Sequence, residues 1–323
     1  MKRILIIIFS AAALFALTAA QTSAQDELVK VRFMPGWTAQ SQFIGYYVAR
    51  EKGFYQDAGL DVSIIHLPAN AKLTAIDYLT AGDVDICMTQ LLLGLITKGH
   101  GSDILAVLQT SQNSGLMCVS HEPIKTLQDL DGMKIGRWIS ASSEPADFFC
   151  MDNGLNVHWV YFLHGINLYV SHAIDATLCY SYSEYLELLF AEGTIPPDRV
   201  NRFSKLGYNY PEDAVFVKRD YYNSHREVVE SFKDASKKGW EYAKTHPDEA
   251  LDIVMKVTKD LNIMTNRTFQ KMMMDEVFNL QINPETGVAD YAPVSVDIFN
   301  AMIDDLLKTG YISEPILYQD IIK

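Results

Sequence analysis

Residues 31–90 read VRFMPGWTAQSQFIGYYVAREKGFYQDAGLDVSIIHLPANAKLTAIDYLTAGDVDICMTQ. Residues 31–34 form a short apolar run that predicts a buried strand, and Pro35 and Gly36 break it. Residues 37–41 then make a polar loop around one large aromatic, Trp37. Phe43, Tyr46, Tyr47 and Arg50 follow at the three-to-four spacing of one helix face, with Ser41 where an N-cap would stand. Gly53 and Gly59 punctuate, and residues 61–67 predict a second strand. Strand, loop, helix and strand make a βαβ unit. Ligands of open α/β sheets bind beyond the carboxyl ends of the strands, which is where Trp37 falls.

The alternation continues outward. A helix is expected over 70–79, with Leu73, Ile76 and Leu79 on one face, then a strand over 85–88 that leads into Thr89 and Gln90. A helix over 91–97 and a strand over 104–109 follow. This rhythm predicts a parallel α/β sheet. The small, polar residues 111–115 read as a first crossing into another lobe. That lobe has expected strands at 116–119, 134–137, 157–162, 177–180 and 200–206, and helices at 144–151, at 168–173 and, after the strand end at 181–185, running to 191. Residues 207–211 read as the return crossing and 214–218 as a strand re-entering the first lobe. The remainder is helical, over 222–245, 248–258, 265–277 and 294–309. The predicted organisation is lobe one over 25–115, lobe two over 116–210, and lobe one again over 211–323, its helices packing on lobe one.

The amino terminus predicts an export signal over 1–24. Lys2 and Arg3 precede an apolar core over 4–17, and small residues follow, with cleavage after Ala20 or Ala24. That core is shorter than the roughly 20 residues a membrane-spanning helix needs. Losing Lys2 and Arg3 takes the formal charge from −13 to −15. So acidic a chain lacks the cationic excess that neutralises phosphates, so nucleic acid is not an expected partner. Cys87, Cys118, Cys150 and Cys179 each lie in or beside an apolar segment and read as small buried hydrophobes. In an exported chain they also allow three disulfide pairings. No CxxC or Cys/His metal spacing occurs, nor HExxH, GxSxG or a P-loop, so neither a metal nor a cofactor is expected.

Trp37, Gly45 to Tyr55, Gly59-Leu60-Asp61-Val62, Gly82-Asp83-Val84-Asp85, the run from Ile124 to Gly136 and Ile174-Asp175-Ala176 carry a family resemblance. The chain resembles the periplasmic substrate-binding proteins of ABC importers, within them the branch that binds thiamine-pyrimidine precursors, with taurine, alkanesulfonate and nitrate binders as cousins. The resemblance implies an α/β, two-lobed fold of the type II periplasmic-binding-protein class with its ligand cleft between lobes. It also implies a small-molecule ligand, an inner-membrane permease as partner, a periplasmic location and binding without chemistry. A monomer is expected.

Candidate ligand residues are those at expected strand ends. Trp37 offers a stacking face, unless its ring plugs the sheet end. Gln40, Ser41 and Gln42 stand at a helix start, where backbone N–H groups favour a polar or anionic group, and Ser41 serves equally as a plain cap. Gln90 follows the third strand of the first lobe, and Trp138 and Ser140 occupy the equivalent edge of the second. Tyr182, Ser183 and Glu184 resemble the family's Asn-Glu element, whose Glu hydrogen-bonds an aminopyrimidine, with Ser183 in place of Asn. Glu184 is equally readable as a first-turn helix acid. An anion binder would want an Arg here, and Arg137 is the candidate, though strand polarity lets it point outward. The alternatives are a sulfonate- or nitrate-type binder and an exported enzyme on the scaffold of the eukaryotic pyrimidine synthases. Those synthases use a Lys and a His after the third strand and a Cys-rich motif. Residues 88–93 here read MTQLLL, with neither, and the cysteines are scattered.

Overall fold

In the computed structural model of the chain, the described residues are 27–68, 71–139 and 143–323. The expected export signal, the candidate Ser140 and the first position of the helix expected over 70–79 lie outside them.

The chain opens with strands β1 (Val29–Met34), β2 (Leu60–Ile64), β3 (Ile86–Gln90) and β4 (Ile104–Gln109). It leaves for a second sheet of β5 (Leu116–Ser120), β6 (Lys134–Trp138), β7 (His158–Phe162), β8 (Ala176–Tyr180) and β9 (Val200–Arg202), and then returns as β10 (Asp213–Lys218). The strand orders are β2-β1-β3-β10-β4 and β7-β6-β8-β5-β9. In each sheet one strand runs against the others: β10 is antiparallel to β3 and β4, and β5 is antiparallel to β8 and β9. Each reversed strand follows a crossing, so its first residue lands on the edge where the parallel strands end. Asp213 stands opposite Gln90 and Leu116 opposite Tyr180. Strands β4, β5 and β8 are buried along their whole length, which explains their near-continuous apolar runs.

Helices α1 (Ile44–Glu51), α2 (Phe54–Asp57), α3 (Ala75–Ala81) and α4 (Leu91–Gly99) accompany the first sheet. Helices α5 (Glu144–Asp152), α6 (Asn167–Val170) and α7 (Glu184–Glu192) accompany the second, and α8 (Arg219–Ser224), α9 (Arg226–Thr245), α10 (Pro247–Asp260), α11 (Arg267–Leu280) and α12 (Val296–Lys308) close the chain. The tightest crossing is α1 on α9. A Cβ on Gly45 would land on the Trp240 ring, and one on Gly239 would land on the Gly45 carbonyl. Around it Phe33, Tyr46, Tyr55, Phe232 and Trp240 form a buried aromatic cluster with ring centroids 4.7–6.3 Å apart. Phe43 and Tyr46, on the face the spacing marked, are fully buried.

Several expectations need correction. Ser41 caps nothing. It is the first residue of a 3₁₀ turn, Ser41–Phe43, that runs into α1, and no side-chain cap bond is made there. Helix α3 starts only at Ala75, because Thr74 and Asp77 form a reciprocal capping box, and Leu73 is left in the preceding loop, half exposed. The strand expected over 200–206 stops at Arg202, where a 3₁₀ turn, Phe203–Lys205, takes over. The helix expected over 222–245 is two helices broken at His225. The C-terminal helices also do more than cover the first sheet. Phe269 on α11 meets Phe190 on α7 at 6.2 Å, and Tyr311, just past α12, donates to Asp147 on α5 at 2.6 Å. All four cysteines are free thiols, three of them buried, as the apolar flanks implied.

Candidate functional site

A cavity of about 120 Å³ lies between the carboxyl edges of the two sheets. From the first come Trp37, Gln40, Gln42, Thr89, Gln90 and Asp213; from the second come Trp138, Tyr180, Tyr182, Ser183 and Glu184. Leu67, Pro68, Ala71 and Leu73, between β2 and α3, add an apolar flank.

The wall from the first sheet is a relay of amides. Gln40 Nε2 donates to Gln42 Oε1 at 2.7 Å, and Gln42 Nε2 donates to both oxygens of Asp213 at 3.1 and 3.0 Å. All three side chains are nine-tenths or more buried. Trp37 is held through its backbone. His66 Nδ1 bonds the Trp37 carbonyl and His66 Nε2 the Tyr47 hydroxyl, each at 2.9 Å. The carbonyl can only accept, so Nδ1 carries the proton and Nε2 takes the tyrosine hydrogen. Burial lowers the pKa of His66, which favours that neutral form.

The wall from the second sheet is a row of rings. Trp138 and Tyr180 lie 5.1 Å apart at 23°, and Tyr180 and Tyr182 5.3 Å apart at 21°, both in offset-stacking range. Glu184 ends the row. Its Oε1 accepts from the Trp138 indole N–H at 3.1 Å and its Oε2 from the Tyr180 backbone N–H at 3.2 Å. Burial nonetheless pushes its carboxyl up to about 7. Side chains also cross the cleft. Gln90 Nε2 donates to the Tyr180 hydroxyl, Gln42 Nε2 approaches the Tyr182 hydroxyl at 3.4 Å, and that hydroxyl donates to Glu212 at 3.3 Å.

Glu212 belongs to the return crossing and pins the outgoing one, accepting from Ser114 Oγ at 2.9 Å and the Gly115 N–H at 2.7 Å. Burial and the neighbouring Asp213 push it up to about 8, and burial pushes Asp213 to about 6. Among the described residues no Lys, Arg or His lines the cavity. Arg137 turns away: its guanidinium holds Asp147 at 2.8 Å and stacks over Trp159 at 4.7 Å. Among the described residues no group of three or more His, Cys, Asp and Glu is placed to hold a metal ion.

Of the sequence candidates, Trp37, Gln40, Gln42, Gln90, Trp138, Tyr182 and Glu184 converge on this cavity. Ser41 does not. It is fully buried behind the wall, and its N–H donates to Gln270 Oε1 on α11 at 2.7 Å. Sequence reading missed Asp213 and Tyr180. Tyr180 is the last residue of an expected strand, a position where reading strand ends would have found it. Asp213 begins a reversed strand, and only the topology puts that start on the ligand edge.

Two five-stranded sheets, joined by crossings and meeting at a cleft on their carboxyl edges, define the two-lobed fold of periplasmic binding proteins. The chain belongs to the NMT1/THI5 like family, whose model matches residues 40–250. It is 21% identical over 340 residues to a formylaminopyrimidine-binding protein of Halalkalibacterium halodurans, covering 99% of this chain and 98% of that one. It is 24% identical over 245 residues to the 4-amino-5-hydroxymethyl-2-methylpyrimidine phosphate synthase of Candida albicans, covering 68% of this chain and 69% of the enzyme. The periplasmic aliphatic sulphonate binding protein of Escherichia coli superposes with a TM-score of 0.67 at 14% identity, over 91% of this chain and 97% of that one, which shows a shared fold.

Proposed function

We propose that the protein is the exported solute-binding component of an ABC importer, and that it holds an amino-substituted pyrimidine between its lobes without altering it. The observation that carries this reading is the row Trp138–Tyr180–Tyr182 ending in Glu184, facing Trp37 across the cavity. Stacked rings suit a flat heteroaromatic, and a buried carboxylate at their end suits an exocyclic amino group, through a charge-assisted hydrogen bond. Similarity along the whole length of the formylaminopyrimidine-binding protein supports it. The match to the synthase covers a smaller share of both chains. A sulfonate or nitrate ligand fits less well, because two carboxylates and no cation line the cavity among the described residues. Binding without chemistry, the periplasmic location and the permease partner belong to the same proposal.

The test is isothermal calorimetry of the mature chain with 4-aminopyrimidines, taurine, an alkanesulfonate and nitrate, with mass spectrometry of the recovered ligand. Saturable pyrimidine binding with ligand returned unchanged is the expected outcome. A sulfonate that binds while every pyrimidine fails would overturn the ligand class, and a chemically altered pyrimidine would favour the enzyme.

A further inference from the structure

The mixed topology gives the cavity a second acid, opposite the first. Asp213 opens β10, the strand reversed against β3, and so stands at the ligand edge opposite Gln90. Its carboxylate lines the cavity with Glu184, which belongs to the other lobe. Among the described residues neither acid is in an ion pair. Among the described residues, Asp213's side chain takes only the Gln42 amide, shared between its two oxygens. A carboxylate has about four acceptor sites, so most of the capacity of this buried group is unspent. The relay behind it fixes polarity as well. Gln40 gives its amide N–H to Gln42, and Gln42 gives its own to Asp213, so the donors point toward the acid and the relay ends on an acceptor. A small anion would meet the Asp213 carboxylate and, among the described residues, no cation lining the cavity. A neutral ligand would leave one buried carboxylate without a strong donor, a costly state.

Resting on the pyrimidine reading above, we infer that the physiological ligand is a cation with donors at two ends, its ring amino group on Glu184 and a protonated amine on Asp213. Asp213 is then the residue that selects the cationic ligand over its neutral isostere. Glu184 anchors the part the two share.

The experiment compares two probes by calorimetry: a 4-aminopyrimidine with an aminomethyl group at ring position 5, and the same ring with hydroxymethyl there. Wild-type protein should bind the aminomethyl probe at least tenfold more tightly. Asp213→Asn keeps the shape and an oxygen for Gln42, and should cut that preference to threefold or less. Glu184→Gln should weaken both probes by similar factors. Equal wild-type affinities overturn the inference, and need no variant to fold. So does an Asp213→Asn chain that melts like wild type and keeps the full preference. If neither probe binds and an alkanesulfonate does, the pyrimidine reading fails and takes this inference with it. The neutral probe binding as tightly as the charged one sinks the inference alone.

Discussion

The wall that the first sheet contributes to the cleft is a relay of side-chain amides, Gln40 to Gln42 to Asp213, whereas the second contributes stacked rings with a carboxylate fixed at their end. The difference lies in what holds each wall in place. Glu184 is gripped by a backbone N–H of β8 and by the indole N–H of Trp138, a buried ring packed against Tyr180 and Phe162. Asp213 is gripped by a glutamine whose partners are other side chains. The ring wall is pre-organised and suited to affinity; the amide wall can re-aim its donors and is suited to selectivity. Between them, Glu212 ties the two crossings together.

The largest expected effect sets these acids against pH. Burial raises Glu184 to about 7, Glu212 to about 8 and Asp213 to about 6. Between about pH 4.5 and pH 8 the folded chain therefore holds protons that the unfolded chain has released. Stability present in full below that window is lost as pH rises through it. Ligand-free protein should lose stability between pH 5 and pH 8, on the order of several kcal/mol, each acid contributing as pH passes its raised value. Urea melts across that range check this, and a flat profile would mean the acids are already solvated. Glu212→Gln should remove more of the slope than Glu184→Gln, separating the crossing from the ring wall.

Next in size is the affinity held by the ring wall. Glu184→Ala should weaken pyrimidine binding by about 100-fold, or about 3 kcal/mol, as expected on losing a buried charged partner. Trp37→Ala on the facing wall should cost less, about tenfold, since it removes stacking alone. Titration calorimetry decides it, and equal losses would erase the proposed division between walls. Third is the support beneath the amide wall. A methyl at Gly239 has no room against the Gly45 carbonyl, so Gly239→Ala should destabilise the chain by about 2 kcal/mol through overpacking. A chain that melts unchanged would show that α1 and α9 can separate freely.

How much of this the sequence discloses depends on the range of the interaction. Trp37, Gln90, Trp138, Tyr182 and Glu184 could be marked because they sit within a few residues of where parallel strands end, and hydrophobic runs and Pro-Gly breaks reveal those ends. Ser41 was misplaced because its role depends on Gln270, 229 residues away, which pulls its N–H behind the wall. Asp213 escaped because the direction of β10 is set by pairing with β3 and β4, and an apolar run over 214–218 reads the same in either direction. The break at His225 was hidden too, since residues on both sides keep helical spacing.

The smallest expected effect probes how the amide side aims its one aromatic. His66 lines neither wall, yet it joins the Trp37 carbonyl to the Tyr47 hydroxyl, spanning the loop and α1. Tyr47 is fully buried and cannot follow a moving loop. Removing the imidazole therefore frees the Trp37 backbone while the core stays in place. His66→Ala should forfeit about 1 kcal/mol, near the net worth of a hydrogen bond, seen as about a fivefold weaker ligand. His66→Gln should recover part of the loss, because its amide N–H can still reach a carbonyl acceptor. Tryptophan fluorescence during ligand titration reads it: the quench assigned to Trp37 should broaden in His66→Ala and sharpen again in His66→Gln. Wild-type affinity in both variants would mean Trp37 is held by its ring packing, and that the first wall is as rigid as the second.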